Sequence, residues 1–350
     1  MNGVKFMKIR AVDLFCGVGG LTHGMEQAGI EVVAGIDFEG SCELPYEVNN
    51  SGKFIHKDIK EVSEEEINNL YPDDTDIKVL VGCAPCQPFS SYSHRYKNTK
   101  NDKMDLLYYF GDLVKKVLPD IVSMENVPQM AKTEVFFDFL KTLKNLKYNV
   151  EWQIVYAPDY EIPQNRKRLV LVASRISEIS ILKPLRTKEN YISVRETIEK
   201  LPKLKSGETD KKDPLHSTRG LSELNIKRIK QSVPGGTWRD WDYELLPNCY
   251  KKESGQSYGS VYGRMEWDKP SPTITTQFIG YGNGRFGHPE QDRALSLREG
   301  AMLQTFPKDY KFVDDENYAK SKVAVQIGNA VPVKLGYVIG KSILNSLEDK

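Results

Sequence analysis

The sequence predicts an α/β fold: a doubly wound sheet with a second, smaller domain that is irregular and β-rich. Three observations carry this expectation. Over the first half of the chain, short apolar runs of strand length alternate with stretches of helical apolar spacing, the pattern of a parallel sheet with helices on its faces. The first run feeds a glycine-rich turn, Gly17-Val18-Gly19-Gly20, followed by a helical pattern. Past Pro202 the alternation gives way to polar, basic and glycine-aromatic segments, and a helical apolar pattern returns near the C-terminus. The expected boundaries are 1–195 plus 322–350 for the sheet domain and 196–321 for the smaller domain and its hinge.

Composition narrows the setting. With 350 residues the chain is long enough for a large core and two domains. Hydrophobic residues at 39% and charged residues at 28% describe an ordinary soluble protein. No uninterrupted apolar run approaches membrane-spanning length and the first ten residues have no signal-peptide core, so no membrane partner is expected. The five cysteines lack framework spacing, which points to a reducing cytoplasm. A net charge of +1 means that any nucleic-acid surface must come from local clustering of basic residues.

Residues 8–15 read as a strand running into the glycine turn, and 21–28 as the helix after it. Missing side chains in such a turn let the backbone approach a ligand. The spacing Gly17-x-Gly19-Gly20 departs from the dinucleotide pattern, which argues against a nicotinamide cofactor. The next run, 30–36, ends in Asp37-Phe38, where a carboxylate is placed for ribose hydroxyls and an aromatic ring for an adenine face. A third run, 53–56, ends in Lys57-Asp58-Ile59. A strand-end Asp is more commonly a helix cap, but three successive strand ends of this kind favour a nucleoside-shaped pocket.

The fourth run, 77–84, leads into Gly82-Cys83-Ala84-Pro85-Cys86-Gln87-Pro88-Phe89-Ser90. Prolines around Cys86 hold its sulfur in a rigid turn at a sheet edge, which suits a nucleophile. Cys83 and Cys86 as small buried hydrophobes is the competing reading, and a Cys-x-x-Cys redox pair is a third. Zinc needs four ligands; Cys16, Cys42 and Cys249 show no second close pair and His94 stands alone nearby, so no metal is expected. On this stretch alone the catalytic thiol stands level with its rivals.

Residues 90–103, polar and carrying Arg95, Lys97, Lys100 and Lys103, resemble a mobile loop beside the thiol. A helical pattern over 104–117 precedes a strand, 120–124, that ends in Glu125-Asn126-Val127-Pro128. Glu125 should lie at the same sheet edge as Cys86, where a buried carboxylate fits a proton donor. Residues 135–146 have the spacing of an amphipathic core helix. Residues 148–156 and 168–173 read as paired strands joined by Pro163-Gln164-Asn165-Arg166-Lys167-Arg168, either a solvated turn or a grip on an anionic or carbonyl-rich substrate.

Taken in order, Asp-Leu-Phe-x-Gly-x-Gly-Gly, Pro-Cys-Gln-x-Phe-Ser, Glu-Asn-Val, Gln-x-Arg-x-Arg and a late Gln-x-Gly-Asn-x-Val resemble the cytosine-5 DNA methyltransferase family, of the bacterial restriction-modification type. The resemblance runs from about Val12 to the C-terminal helix, apart from a region near 202–258. It implies a Rossmann-like methyltransferase sheet, S-adenosylmethionine as cofactor and duplex DNA as partner. Cys86 matches the nucleophile that adds to cytosine carbon 6, so that carbon 5 can accept a methyl group. Glu125 matches the residue that binds ring nitrogen 3 and the exocyclic amine, Arg168 the one that binds the cytosine carbonyl, and Arg166 a supporting position. Around the cofactor the resemblance places Phe15, Gly17, Gly19, Asp37, Phe38, Asp58, Ile59, Pro85, Leu106 and Asn329. Asn126 would brace the Pro85-Cys86 turn, and Cys83 has no role in the pattern.

In the second half, a helix over 193–201 ends at Pro202. Glycine, aromatic and basic residues are then interleaved in Gly235-Gly236-Thr237-Trp238-Arg239-Asp240-Trp241 and in Ser257-Tyr258-Gly259-Ser260-Val261-Tyr262-Gly263-Arg264, a mixture suited to a nucleic-acid backbone and base edges. The resemblance makes this the target-recognition domain. Residues 270–278 read as β-rich, 293–306 as a helix whose Arg293 and Arg298 are structural, and Gln326 to Pro332 as the start of the final helix.

The expected activity is therefore methyl transfer to carbon 5 of a flipped-out cytosine in a specific DNA sequence. A monomer suffices, functionally paired with a restriction endonuclease but not in a stable complex with it. Methylation of a tRNA anticodon arm by a related branch is the alternative substrate, disfavoured because that branch's Cys-Phe-Thr tripeptide is missing.

Overall fold

The computed structural model describes residues 7–85, 105–255, 259–314 and 317–348. In chain order its elements are β1 (Ile9–Leu14), α1 (Gly20–Ala28), β2 (Glu31–Asp37), α2 (Glu43–Glu47), β3 (Lys53–His56), α3 (Glu64–Leu70), β4 (Ile77–Gly82), α4 (Asp105–Val117), β5 (Ile121–Asn126) and α5 (Glu134–Asn145). There follow β6 (Asn149–Tyr156), β7 (Gln164–Asn165), β8 (Lys167–Ser174), α6 (Val194–Ile198), α7 (Glu223–Gln231), β9 (Ser271–Pro272), α8 (Leu297–Leu303), α9 (Lys320–Asn329) and α10 (Val333–Glu348), with short 3-10 turns between.

The chain forms two compact units. The first comprises Met1–Tyr156, Lys167–Pro184 and Val331–Lys350. Its seven-stranded sheet has the order β3-β2-β1-β4-β5-β8-β6. The first five strands in that order are mutually parallel, and β8 runs antiparallel to both β5 and β6. Strand order reverses between β1 and β4, the place where open α/β sheets bind ligands beyond their carboxyl ends. β5 is buried at every position, which is why it reads as an apolar run, interrupted only by Ser123, until its polar end. On one face Ile67, Leu107, Phe110, Phe136, Phe139 and Leu143 pack on Val12, Leu80, Val122 and Leu171. α10 returns to lie along α1, so the last helix belongs to the sheet unit.

The second unit comprises Ala157–Arg166 and Leu185–Ala330. Its packing limits therefore differ from the composition boundaries at 196 and 321. The strands expected over 148–156 and 168–173 are β6 and β8 and pair antiparallel, but the Pro163 to Arg166 stretch between them is no solvated turn: Gln164 and Arg166 are buried in the second unit. The expected β-rich stretch over 270–278 is reduced to Ser271–Pro272, flanked and ended by prolines that cannot donate to a ladder. Gln326 to Asn329 closes helix α9 rather than opening the final helix, which starts after Pro332.

The glycine-aromatic segments of the second unit are corrected most. Trp238 and Trp241 are buried with Ile229, Tyr281 and Ala294 in a small core. The Trp241 indole N–H donates to Ser232 Oγ at 2.8 Å, and Arg228 lies over Trp241 and Tyr262. Arg264 is buried and donates to the carbonyls of Ile229, Ser232, His288 and Gln291. These side chains build the unit, whereas Arg239, on the same segment, is exposed. Arg293 meets Glu299 through two hydrogen bonds of 2.8 and 2.7 Å, and Arg298 meets Asp213 at 2.6 and 3.0 Å, so both arginines are structural as expected.

Among the described residues, one helical stretch, Lys320–Glu348, is long and apolar enough to cross a membrane. It contains Lys334 and Lys341, it breaks at Ala330 to Pro332, and α10 buries Leu335, Val338, Ile339 and Ile343 within the first unit.

Candidate active site

Four adjacent strands of the first unit end at one edge of the sheet, and the cofactor-type residues follow them. After β1 the backbone turns through left-handed conformations at Phe15 (φ 61°), Gly17 (φ 51°) and Gly19 (φ 84°). A non-glycine residue held there costs on the order of 1–3 kcal/mol and marks functional turns. A side chain on Gly17 would meet nothing within 4 Å, so the turn faces open space. Asp37 ends β2 and ties two turns together: its Oδ2 accepts the Gly17 N–H and its Oδ1 the Glu39 N–H, both at 2.9 Å. Burial pushes the Asp37 carboxyl above its ordinary range. Phe38, next in the chain, is 64% exposed. After β3, Asp58 accepts the Lys60 N–H at 3.0 Å, as a cap does, and Ile59 is buried. Pro85 follows β4 and Leu106 lies in the first turn of α4, both partly buried.

The neighbouring strand ends carry ionisable side chains. Glu125 is the penultimate residue of β5 and is 6% exposed. Arg168 reaches it from β8, the next strand in the sheet, with Nε 2.9 Å from Glu125 Oε1. This is ion-pair contact without hydrogen-bond alignment, since Oε1 accepts no hydrogen bond among the described residues. Arg168 Nη1 also donates to the Lys167 carbonyl at 2.7 Å. Asn126, buried, donates from Nδ2 to the Ala84 carbonyl at 3.0 Å, which fixes the peptide before Pro85. Cys83 continues from β4, which pairs with β5 through Gly82 and Met124. Burial, reinforced by the Glu125 charge, pushes its thiol well up, so Cys83 stays protonated and is a poor nucleophile. Cys86 and the 90–103 segment lie outside the described residues.

Two further candidates fall in the second unit. Arg166 is buried and donates from Nη1 to the Ile274 carbonyl at 3.2 Å. Asn329 closes α9 and is exposed.

The profile of the C-5 cytosine-specific DNA methylase family matches residues 9–345. The chain belongs to this family. Its reaction is methyl transfer from S-adenosylmethionine to carbon 5 of cytosine in DNA. The type II methylase M.HgiDII of Herpetosiphon aurantiacus is 54% identical over 96% of this chain and 95% of its own length. The type II methyltransferase M.PspPI of a Psychrobacter strain is 30% identical over 96% of this chain and 79% of its own. Among solved structures, Spodoptera frugiperda DNMT2 shares the fold, with a TM-score of 0.66 at 16% identity, over 96% of this chain and 99% of that one.

The strand-end residues of this methylase fit its cofactor. An exposed ring at Phe38 offers a face to a planar heterocycle, Asp37 keeps lone pairs for ribose hydroxyls, and the open Gly17 turn admits a close ligand.

Sequence reasoning missed a polar group beneath this turn. Asp13, within β1, is fully buried and accepts the Thr22 hydroxyl at 2.7 Å, while its Oδ1 has no hydrogen-bond partner among the described residues. Desolvation, with the charge of Asp37, pushes its carboxyl up to about 7. A carboxylate inside an apolar run, Val12-Asp13-Leu14, was the available signal. The core of the second unit was missed for lack of such a signal.

Proposed function

We propose that this methylase modifies one cytosine of a specific duplex sequence through a covalent bond from Cys86, and that it protects host DNA in a restriction-modification system. The observation that carries the reading is the buried Glu125–Arg168 contact at the strand ends next to the Ala84 peptide, two residues before Cys86. Cytosine in a stacked duplex hides its ring carbons, so the base must leave the helix to meet these groups. The Cys86 thiolate adds to carbon 6, and Glu125 holds a proton at ring nitrogen 3, which keeps negative charge from building on the ring. Arg168 binds the cytosine carbonyl and favours the thiolate; Arg166 supports the segment that carries it. Carbon 5 then takes the methyl group, loses its proton to water, and expels the thiolate.

S-adenosylmethionine, when bound, supplies the methyl group as an electrophile. Phe15, Gly17, Gly19, Asp37, Phe38, Asp58, Ile59, Pro85, Leu106 and Asn329 hold it. The exposed face of the second unit that carries Arg239 reads the target, because buried Trp238, Trp241 and Arg264 have no surface to offer. The type II names of the relatives support the restriction-modification role. A paired endonuclease outside any stable complex, a monomeric enzyme and a cytoplasmic setting belong to the same proposal.

Bisulfite sequencing of DNA from a methylation-free host expressing the chain, beside a Cys86→Ser control, tests the reading. Methylcytosine at one short recurrent sequence, absent from the control, is expected. Methylation that persists in the control would reject Cys86 as nucleophile.

A further inference from the structure

We propose that His56 is a positioning residue for the cofactor pocket: it clamps the turn that carries Asp37 and Phe38, and thereby sets the affinity for S-adenosylmethionine. This rests on the reading that Asp37 and Phe38 hold the cofactor. His56 is the last residue of β3 and is in parallel register with Asp37, the last residue of β2. Its Nε2 stands 2.9 Å from the Phe38 carbonyl oxygen. A carbonyl only accepts, so Nε2 carries the hydrogen. The same ring covers Gly40, where an added Cβ would lie 2.9 Å from His56 Cε1. The imidazole thus fills the space that a side chain at position 40 would need, and it holds the turn on both sides of Phe38.

The rest of that turn is tied at its other end. Asp37 accepts the Gly17 and Glu39 N–H groups, and the Lys57 N–H donates to the Asp37 carbonyl at 3.0 Å. The Phe38 ring itself is 64% exposed, so few protein contacts orient it and its direction follows its backbone. Releasing the Phe38 carbonyl leaves the ring to be ordered when ligand binds, an entropic cost that appears as weaker binding. Chemistry after binding is untouched, because the His56 side chain contacts the Phe38 to Gly40 turn and its chain neighbours Asp58 and Ile59 also belong to the cofactor side of the site.

The test is calorimetric titration of the full-length enzyme with S-adenosylmethionine, together with steady-state methyl transfer, for His56→Ala, His56→Gln, Phe38→Ala and the His56→Ala/Phe38→Ala pair. His56→Ala should weaken binding and raise the KM for S-adenosylmethionine by about threefold to tenfold, the scale of one hydrogen bond, with kcat and the KM for DNA unchanged. His56→Gln, which keeps an N–H donor on an exposed side chain, should recover part of the loss. In the Phe38→Ala background His56→Ala should add less than about twofold. Unchanged affinity in His56→Ala, or an equal loss in both backgrounds, overturns the proposal. Unchanged affinity in Phe38→Ala alone overturns the pocket reading, and this inference with it.

Discussion

Arg168 Nε lies 2.9 Å from Glu125 Oε1, with the two side chains only 15% and 8% exposed. The pairing of β5 with β8 fixes this distance, since the two residues come from antiparallel neighbours in one sheet. Each charge compensates the other where water is scarce, so the acid proposed to face cytosine nitrogen 3 is held by the arginine proposed to bind the carbonyl. Breaking such a pair strands a buried charge, whereas removing both charges does not.

Stability and activity should therefore separate in a double-mutant series. Glu125→Gln, which removes the acid proposed to hold the proton at nitrogen 3, should slow single-turnover methyl transfer by about 10²–10⁴-fold. Arg168→Ala should cost about 3 kcal/mol in urea unfolding, because it leaves Glu125 unpaired. The combined variant should regain most of that stability while its transfer rate stays at the level of the single variants. A pair without structural coupling would show additive losses of stability instead.

Legibility followed how directly a residue's neighbours in sequence are its neighbours in space. β1, β2, β4 and β5 are buried parallel strands, so their apolar runs and polar ends show in the chain, and Gly17, Asp37 and Glu125 are found at those ends. α3 went unread: it is short and polar and makes no apolar pattern, and its Ser63–Glu66 capping box was the one signal it offered. Trp238, Trp241 and Arg264 misled for a different reason. A small domain core and a nucleic-acid surface draw on the same aromatic, glycine and basic residues, and only burial tells them apart. The division between Arg166 and Arg168 was invisible, since the chain passes between units at Arg166 and Lys167 with no change of composition.

The buried Asp13 should make stability fall with rising pH over a defined window. Its carboxyl titrates near 3.8 when unfolded and near 7 in the folded protein, chiefly through desolvation. Below about pH 4 both states hold the proton. Between about pH 4 and 7 the unfolded chain releases it and the folded chain does not, so stability declines by roughly 4 kcal/mol from this group, and above 7 the decline stops. Asp13→Asn, which keeps the shape without the titration, should remove that slope. Urea midpoints of both proteins at pH 5 and pH 8 check this: the variant should gain on the native protein at pH 8 relative to pH 5. Parallel pH dependence in the two would mean that Asp13 ionises in the folded protein as freely as in the unfolded one.

The return of the C-terminal helix to the sheet unit depends on a bare backbone at Gly24. A Cβ there would stand 2.1 Å from the Val333 carbonyl oxygen and 2.5 Å from the Tyr337 nitrogen, and one on Gly336 would stand 2.6 Å from the Leu21 carbonyl oxygen. The obstructing atoms are backbone on both sides, so no rotamer change relieves the contact, and α1 and α10 would have to separate. Gly24 is mid-helix, where alanine is otherwise favoured by about 1 kcal/mol, and overpacking of this kind costs about 1–3 kcal/mol. With contacts of 2.1 and 2.5 Å to backbone atoms the steric cost falls at the upper end of that range, and Gly24→Ala should lower urea stability by a net of about 2 kcal/mol. Gly220→Ala, whose Cβ would meet only Gly207 Cα at 3.9 Å, serves as control and should change stability by less than about 0.5 kcal/mol. Hydrogen exchange should place the Gly24→Ala loss in α1 and α10. Equal stability of the two variants would show that the helices separate at no cost, and that their close approach does not anchor the C-terminal segment.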